Sequence, residues 1–167
     1  MRNLEAKFRL IDRARAAAAA EAIGFERRGE LVQCDTFFRV ASGKLKLREE
    51  NGGASLIHYA RARRGGLNVS DYAIAPVADP AAIRAMLTAA LGAIATVSKV
   101  RTLLTRRNVR LHLDRVEGLG EFGEIEAVAG PGENPGGYRE EVAAILNALD
   151  GAIGEMIAVS YFEMMRG

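Results

Sequence analysis

The chain has 167 residues, 49% of them hydrophobic and 26% charged, with a net charge of +2 and one cysteine. That length suits one domain, residues 1–167, with a core of real size, and the near-neutral balance excludes a broad nucleic-acid-binding surface unless cations cluster locally. Charges interrupt the first ten residues, so neither a signal peptide nor a membrane span is expected, and the unpartnered Cys34 fits a reducing cytoplasm.

The opening run, Met1–Ile11, alternates with a period of two. Leu4, Ala6, Phe8 and Leu10 fall on one face, and Asn3, Glu5, Lys7 and Arg9 on the other. This is the pattern of a β-strand with one apolar face. Asp12 then caps an alanine-rich helix through Ile23, with Gly24 as its stop. Strand-like runs follow at Glu30–Ala41 and, after a Ser42-Gly43 turn, at Lys44–Glu49. Lys44, Lys46 and Arg48 alternate there with Leu45 and Leu47, which reads as a hairpin. Asn51-Gly52-Gly53 turns into Ala54–Arg64, where Tyr59, Arg61 and Arg63 share a face. Gly65-Gly66 turns again before a short strand at Ser70–Val77.

Asp79-Pro80 predicts the start of a helix that runs to about Leu91 and stops at Gly92. Val97–Thr105 and Val109–Glu117 read as a hairpin turning near Arg107-Asn108. Arg110, His112 and Asp114 lie on one face of its second strand. Phe122–Ala129 carries Glu124 and Glu126 on a common face. The Gly- and Pro-rich stretch Gly130–Tyr138 reads as a loop, Tyr138–Leu149 as a helix, and the tail Glu155–Arg166 as amphipathic without a definite element. The fold class expected is α+β, with about three helices and many antiparallel strands in one closed or strongly curved sheet.

For any single strand, charges facing water explain the alternation. The combination argues otherwise. Outward positions carry Lys or Arg almost without Ser, Thr or Gln, and the charges are segregated by strand. Lys44, Lys46 and Arg48 stand together, as do Lys99 and Arg101, while Glu124 and Glu126 form a separate acidic pair. Like charges on neighbouring strands repel unless a counter-charge or a ligand lies between them. A barrel with its charged faces inward around a metal-bound polyphosphate removes that conflict. Glu5, Asp114, Glu124 and Glu126 could then supply oxygens to a hard cation, and the Lys and Arg side chains could clamp phosphate.

In these residues the chain resembles the CYTH superfamily of triphosphate tunnel metalloenzymes, and within it the class IV adenylate cyclase-like branch. The similarity runs through Asn3-Leu-Glu5-Ala-Lys7, Gln33–Phe38, Gly43–Glu49, Ile57–Ala62, Ser70–Ala75, Lys99-Val-Arg101, Val109–Glu126 and Ser160-Tyr161. Val109–Glu126 is the most specific match. The resemblance implies a closed antiparallel barrel of about eight strands with surrounding helices. It implies a Mg²⁺ or Mn²⁺ ion held by Glu5, Asp114, Glu124 and Glu126. A triphosphate is implied at Lys7, Lys44, Lys46, Arg48, Arg61, Lys99, Arg101, Arg110 and His112, with Glu5, Lys7, Glu124 and Glu126 catalytic. Asn3 stands where the family signature has a first glutamate, so a second metal position is in question.

The activity implied first is conversion of ATP to cyclic AMP and pyrophosphate. The alternative is hydrolysis of thiamine triphosphate, inorganic tripolyphosphate or a nucleoside triphosphate. A third reading, a non-catalytic binder of polyphosphate or nucleic acid, gains nothing from Glu124 and Glu126. The expected partner is a nucleotide or other triphosphate, with nucleic acid disfavoured, no membrane, and a homodimer compatible with the sequence. His58 and Phe37-Phe38 read as structural, and Cys34 as a small buried residue.

Overall fold

A computed structural model describes residues 1–64 and 67–165. Nine strands run as β1 (Arg2–Leu10), β2 (Glu26–Phe38), β3 (Lys44–Glu50), β4 (Gly53–Arg64), β5 (Leu67–Pro76), β6 (Ala93–Arg106), β7 (Val109–Val116), β8 (Gly120–Ala129) and β9 (Ile153–Met156). Eight of them hydrogen-bond in the order β5-β4-β3-β2-β6-β7-β8-β1, and β1 pairs back onto β5, closing an antiparallel barrel. The closure is partial along β1. Arg2–Glu5 pair with Asn68–Asp71 of β5, whereas Phe8 and Leu10 pair with the short β9. The expected Gly65-Gly66 turn, and the side chains of Arg63 and Arg64, lie outside the described residues.

Helices surround the barrel: α1 (Arg13–Ala22), α2 (Pro80–Leu91), α3 (Arg139–Ala148) and the single turn α4 (Tyr161–Met164). Local signals account for their limits. The Asp12 side chain accepts from the Arg15 amide, and Gly24 takes a positive φ just past the end of α1. Asp79 accepts from the Ala82 amide, Pro80 fills the first helical position, and Gly92 ends α2 at φ +78°. Two strands begin four residues earlier than the alternation suggested. β2 continues through a register shift at Gly29, which takes φ +133°, and such a break hides the period of two. β6 starts directly after Gly92, and Ala93–Thr96 lack an alternating pattern.

The barrel is turned inside out relative to a simple soluble sheet. Leu4, Ala6, Phe8 and Leu10 point outward and join Leu104, Val109, Leu111, Leu113, Ile125 and Ala127 in a core under α1 and α3. Ala16 and Ala20 let α1 sit close to the strands, while Val142, Ile145 and Leu149 come from the α3 side. Full burial of such a Leu or Phe contributes about 1.5–3 kcal/mol each. A second apolar cluster, Phe37, Tyr59, Val97, Val116, Phe122, Tyr161 and Phe162, gathers inward-facing residues with those of α4. The Phe37 and Phe162 rings stack with centroids 4.9 Å apart. By contrast, α2 contributes no buried residue, and Cys34 is only half-buried. No described helix is long and apolar enough to cross a membrane.

Candidate active site

The charged faces meet inside the barrel. Glu5, Lys7, Lys46, Arg48, Arg61, Lys99, Arg101, Arg110, His112, Glu124 and Glu126 line one cavity of about 410 Å³, within the range of about 300–1,000 Å³ usual for small-molecule sites. Two residues named from sequence do not line it. Lys44 donates to the Ser160 hydroxyl at 2.8 Å and pairs with Glu163 at 2.9 Å, anchoring α4. Asp114 is fully buried behind the cavity wall, bonded to Arg101 and to the Tyr161 hydroxyl.

Register explains the first-order contacts. On β8 and β1, Glu124 stands directly opposite Lys7, and their side chains meet at 2.9 Å. Arg48 on β3 stands opposite Asp35 on β2 and grips both of its oxygens, at 2.7 and 2.8 Å. Arg101 on β6 does the same to Asp114 on β7. Each is a cross-strand pair of opposite charges on one face of the sheet, the arrangement that stabilises antiparallel neighbours.

The cavity has two poles. At the cationic pole, Lys46, Lys99 and Arg48 all converge on Asp35, with both lysine Nζ atoms 2.9 Å from Oδ2. Burial works to raise the Asp35 pKa, but the three cations outweigh it and hold the carboxyl well below the usual carboxylate range. Burial, with Arg48 adding to it against the pull of Asp35, brings Lys46 down to about 7. Burial likewise lowers Lys99 to about 8, opposed by Asp35. One carboxylate thus serves three cations, leaving an excess of positive charge in a desolvated wall.

At the acidic pole stand Glu5, Glu124 and Glu126. Burial, aided by the neighbouring Glu124 and Glu126 charges and countered by Arg61, raises Glu5 to about 7. Arg61 lies 2.9 Å from Glu5 and 3.6 Å from Glu124. Burial opposes the charge on Glu124, yet Lys7, the adjacent His112, Arg61 and Arg101 hold it well below its ordinary value. The cations face Glu5 Oε2 and Glu124 Oε1 as charge contacts out of line for hydrogen bonds, so both oxygens keep lone pairs for another partner. His112 Nδ1 is 3.6 Å from Glu124 and 3.8 Å from Glu126, beyond hydrogen-bond reach. Buried Asn3 Oδ1 and His112 Nδ1 have no hydrogen-bond partner among the described residues. Desolvated acceptors left open in this way suit a divalent cation, for which Glu5, Glu124 and Glu126 are the natural oxygen donors.

Sequence reasoning passed over several lining residues. Asp35 appeared only inside a matched segment, although it shares its face with Gln33 and Phe37. Ser70, which accepts from Arg61 Nε at 3.3 Å, and Tyr72 also line the cavity. Tyr161 lines the cavity as well, with Lys7 Nζ 4.0 Å from its ring centroid.

The family model for the CYTH domain matches residues 1–161. Among solved structures, the PH1012 protein of Pyrococcus horikoshii OT3 superposes with a TM-score of 0.81 at 22% identity, covering 96% of this chain and 98% of its own. A protein of Vibrio parahaemolyticus, provisionally named an adenylate cyclase, gives 0.79 at 18% identity over 99% and 98%. A Hippeastrum protein gives 0.67 at 18% identity over 98% and 95%; it is provisionally an adenylyl cyclase, described as revealing a dominant triphosphatase activity. At these identities the likeness is one of fold. Among curated proteins no relative matches the chain.

Proposed function

The chain belongs to the CYTH family, and from that membership we propose that it is a divalent-metal-dependent enzyme that holds ATP by its triphosphate inside the barrel and converts it to cyclic AMP and pyrophosphate. The observation that carries this reading is the pairing of two opposite charge clusters in one cavity: Lys46, Arg48 and Lys99 gathered on Asp35, and Glu5, Glu124 and Glu126, with Arg101 reaching Glu124 at 3.4 Å. An anion binder needs only the first pole. Buried carboxylates with open lone pairs are costly in a site that takes only anions, and useful in one that takes an anion with a cation.

The chain's own groups divide the work. Arg48 and Arg101 enter the site already fixed by bidentate carboxylate pairs, so little side-chain entropy remains to be lost when phosphate oxygens arrive. Lys46 and Lys99 share Asp35 and transfer their charge to the incoming phosphates. Lys7 on Glu124, and Arg61 on both Glu5 and Glu124, offset the repulsion between these neighbouring carboxylates. When bound at Glu5, Glu124 and Glu126, a divalent ion supplies Lewis-acid chemistry to the reacting phosphate. In the reaction the ribose 3′-oxygen attacks the α-phosphorus and releases its proton to solvent, and the bond from the α-phosphorus to the bridging oxygen breaks, its electron pair leaving with pyrophosphate. The cationic pole then receives the negative charge that develops on the departing pyrophosphate. Tyr161 and Phe162 give the cavity wall a buried aromatic portion.

The second reading, hydrolysis at the γ-phosphorus, uses the same two poles, and a triphosphatase activity is described for the Hippeastrum protein. Uncharged Asn3 weighs against it, because a second cation would have one carboxylate fewer. Product analysis decides between them. Purified protein with ATP and Mg²⁺ or Mn²⁺ is expected to yield cyclic AMP and pyrophosphate, with turnover lost in Glu126→Ala. ADP and phosphate without cyclic AMP would replace the cyclase with the triphosphatase. Tight binding of ATP and tripolyphosphate with no turnover of either would remove the enzyme reading.

A further inference from the structure

His112 is an unexplained presence at the acidic pole. It is 4% exposed, and it stands opposite Glu124 in the register of β7 and β8. Its Nδ1 points at Glu124 Oε2 from 3.6 Å and at Glu126 Oε1 from 3.8 Å, yet bonds to neither. Had the imidazole served as a hydrogen-bond donor to a carboxylate, about 2.7–2.9 Å would be expected for so buried and polar a pair. A ring nitrogen held just outside that range, facing two carboxylates with no other partner among the described residues, leaves a gap the size of an ion rather than of a bond.

We propose that His112 Nδ1 is itself a metal ligand, completing a nitrogen-and-two-carboxylate site with Glu124 and Glu126 that takes a first-row divalent ion such as Mn²⁺ or Co²⁺ in preference to Mg²⁺. The three ligand atoms lie within 4.8 Å of one another. Two donors each about 2.0–2.2 Å from a common ion are separated by at most about 4.4 Å. The two histidine–carboxylate distances already satisfy that span, so a small side-chain adjustment joins the carboxylates to it. The preference follows from the donor set. Mg²⁺ takes oxygen ligands and holds its water tightly, whereas imidazole nitrogen binds first-row transition ions more strongly than it binds Mg²⁺, Co²⁺ more so than Mn²⁺. Neighbouring cations already face these carboxylates. Lys7 lies 2.9 Å from the other oxygen of Glu124, Arg110 approaches the other oxygen of Glu126 at 3.9 Å, and Arg61 faces Glu5. Arg101 reaches the Glu124 oxygen that faces the imidazole, over a long contact of 3.4 Å that a bound ion would replace.

This inference rests on the metal-dependent reading above, and its test separates the two. The metal-free protein is titrated with Mn²⁺, and the loaded sample is examined by pulsed electron paramagnetic resonance for ¹⁴N coupling from a directly bound imidazole. One tightly bound Mn²⁺ with a ¹⁴N coupling is expected. In His112→Gln protein the coupling disappears and the Mn²⁺ dissociation constant rises by about tenfold or more, while that for Mg²⁺ changes less than about threefold. Because the coupling is read on the unaltered protein, a variant that fails to fold does not remove the test. Stoichiometric Mn²⁺ without ¹⁴N coupling would overturn the histidine ligand and leave the metal-dependent function standing. No stoichiometric binding of Mn²⁺ or Mg²⁺, with or without tripolyphosphate, would overturn both.

Discussion

Asp114 and Arg101 face each other directly across β7 and β6 and are joined by two parallel hydrogen bonds of 2.7 Å. The Tyr161 hydroxyl donates to the same carboxylate at 2.9 Å. Burial opposes the Asp114 charge, but Arg101 overcomes it and keeps the carboxyl far below the ordinary range. With both oxygens engaged and no face on the cavity, Asp114 is placed to fix the guanidinium that lines the cavity wall. In Asp114→Asn the charge-assisted pair is lost while the shape is kept. A loss of about 1.5–3 kcal/mol in unfolding free energy is expected by chemical denaturation, and saturating tripolyphosphate does not restore it. Full restoration by the ligand would mean that Asp114 faces the substrate after all.

Asp35 predicts the opposite response to ligand. It is the shared counter-ion of Lys46, Arg48 and Lys99, so its removal leaves three buried cations facing one another. In Asp35→Asn the ligand-free protein is expected to lose about 3–5 kcal/mol. A triphosphate supplies the missing negative charge, so thermal stabilisation by tripolyphosphate becomes larger in the variant than in the parent. An equal or smaller shift would sink the counter-ion role.

The lowered lysines set a pH dependence. Lys46 near 7 and Lys99 near 8 stay below the ordinary lysine value of 10.5 in the free protein. A bound triphosphate favours their protonated forms and raises both values. Affinity is therefore full below about pH 7 and declines as pH rises through 7 and 8. A fall of at least about tenfold between pH 6.5 and 9.5 is expected by calorimetry. Stability of the ligand-free protein runs the other way, because above pH 7 the unfolded chain binds more protons at these lysines than the folded one. Their contribution thus rises with pH up to the unfolded value. An affinity that is flat over that window, or that rises, would refute the shifts.

Gly123 is fixed by packing, not by its backbone angle. It sits opposite Phe8 in the β1–β8 register, and a Cβ added there would fall inside the buried Phe8 ring. Gly123→Ala is expected to cost about 1–3 kcal/mol by overpacking. The double variant with Phe8→Leu should recover part of that loss. A neutral Gly123→Ala by thermal melting would show that the ring moves freely.

The sequence by itself determined the alternating faces, the caps at Asp12 and Asp79, the hairpin at Arg107-Asn108 and the family. All of these are local, set by neighbours within a few residues or by a motif read in order. The alternation placed Glu5, Lys7, Lys46, Arg48, Lys99, Arg101, Glu124 and Glu126 on common faces correctly, and it left open whether those faces met water or each other. Only closure of β1 onto β5 decided that they point inward. Closure also decided who meets whom. Asp35 became the hub of the cationic pole through Lys99, 64 residues away, and Asp114 was withdrawn from the cavity by Arg101 and by Tyr161, 47 residues later. A period of two specifies a face but carries no register between distant strands, and burial changes the chemistry of every charge it encloses. The charges of the first strand were legible from ten residues; their partners required the whole barrel.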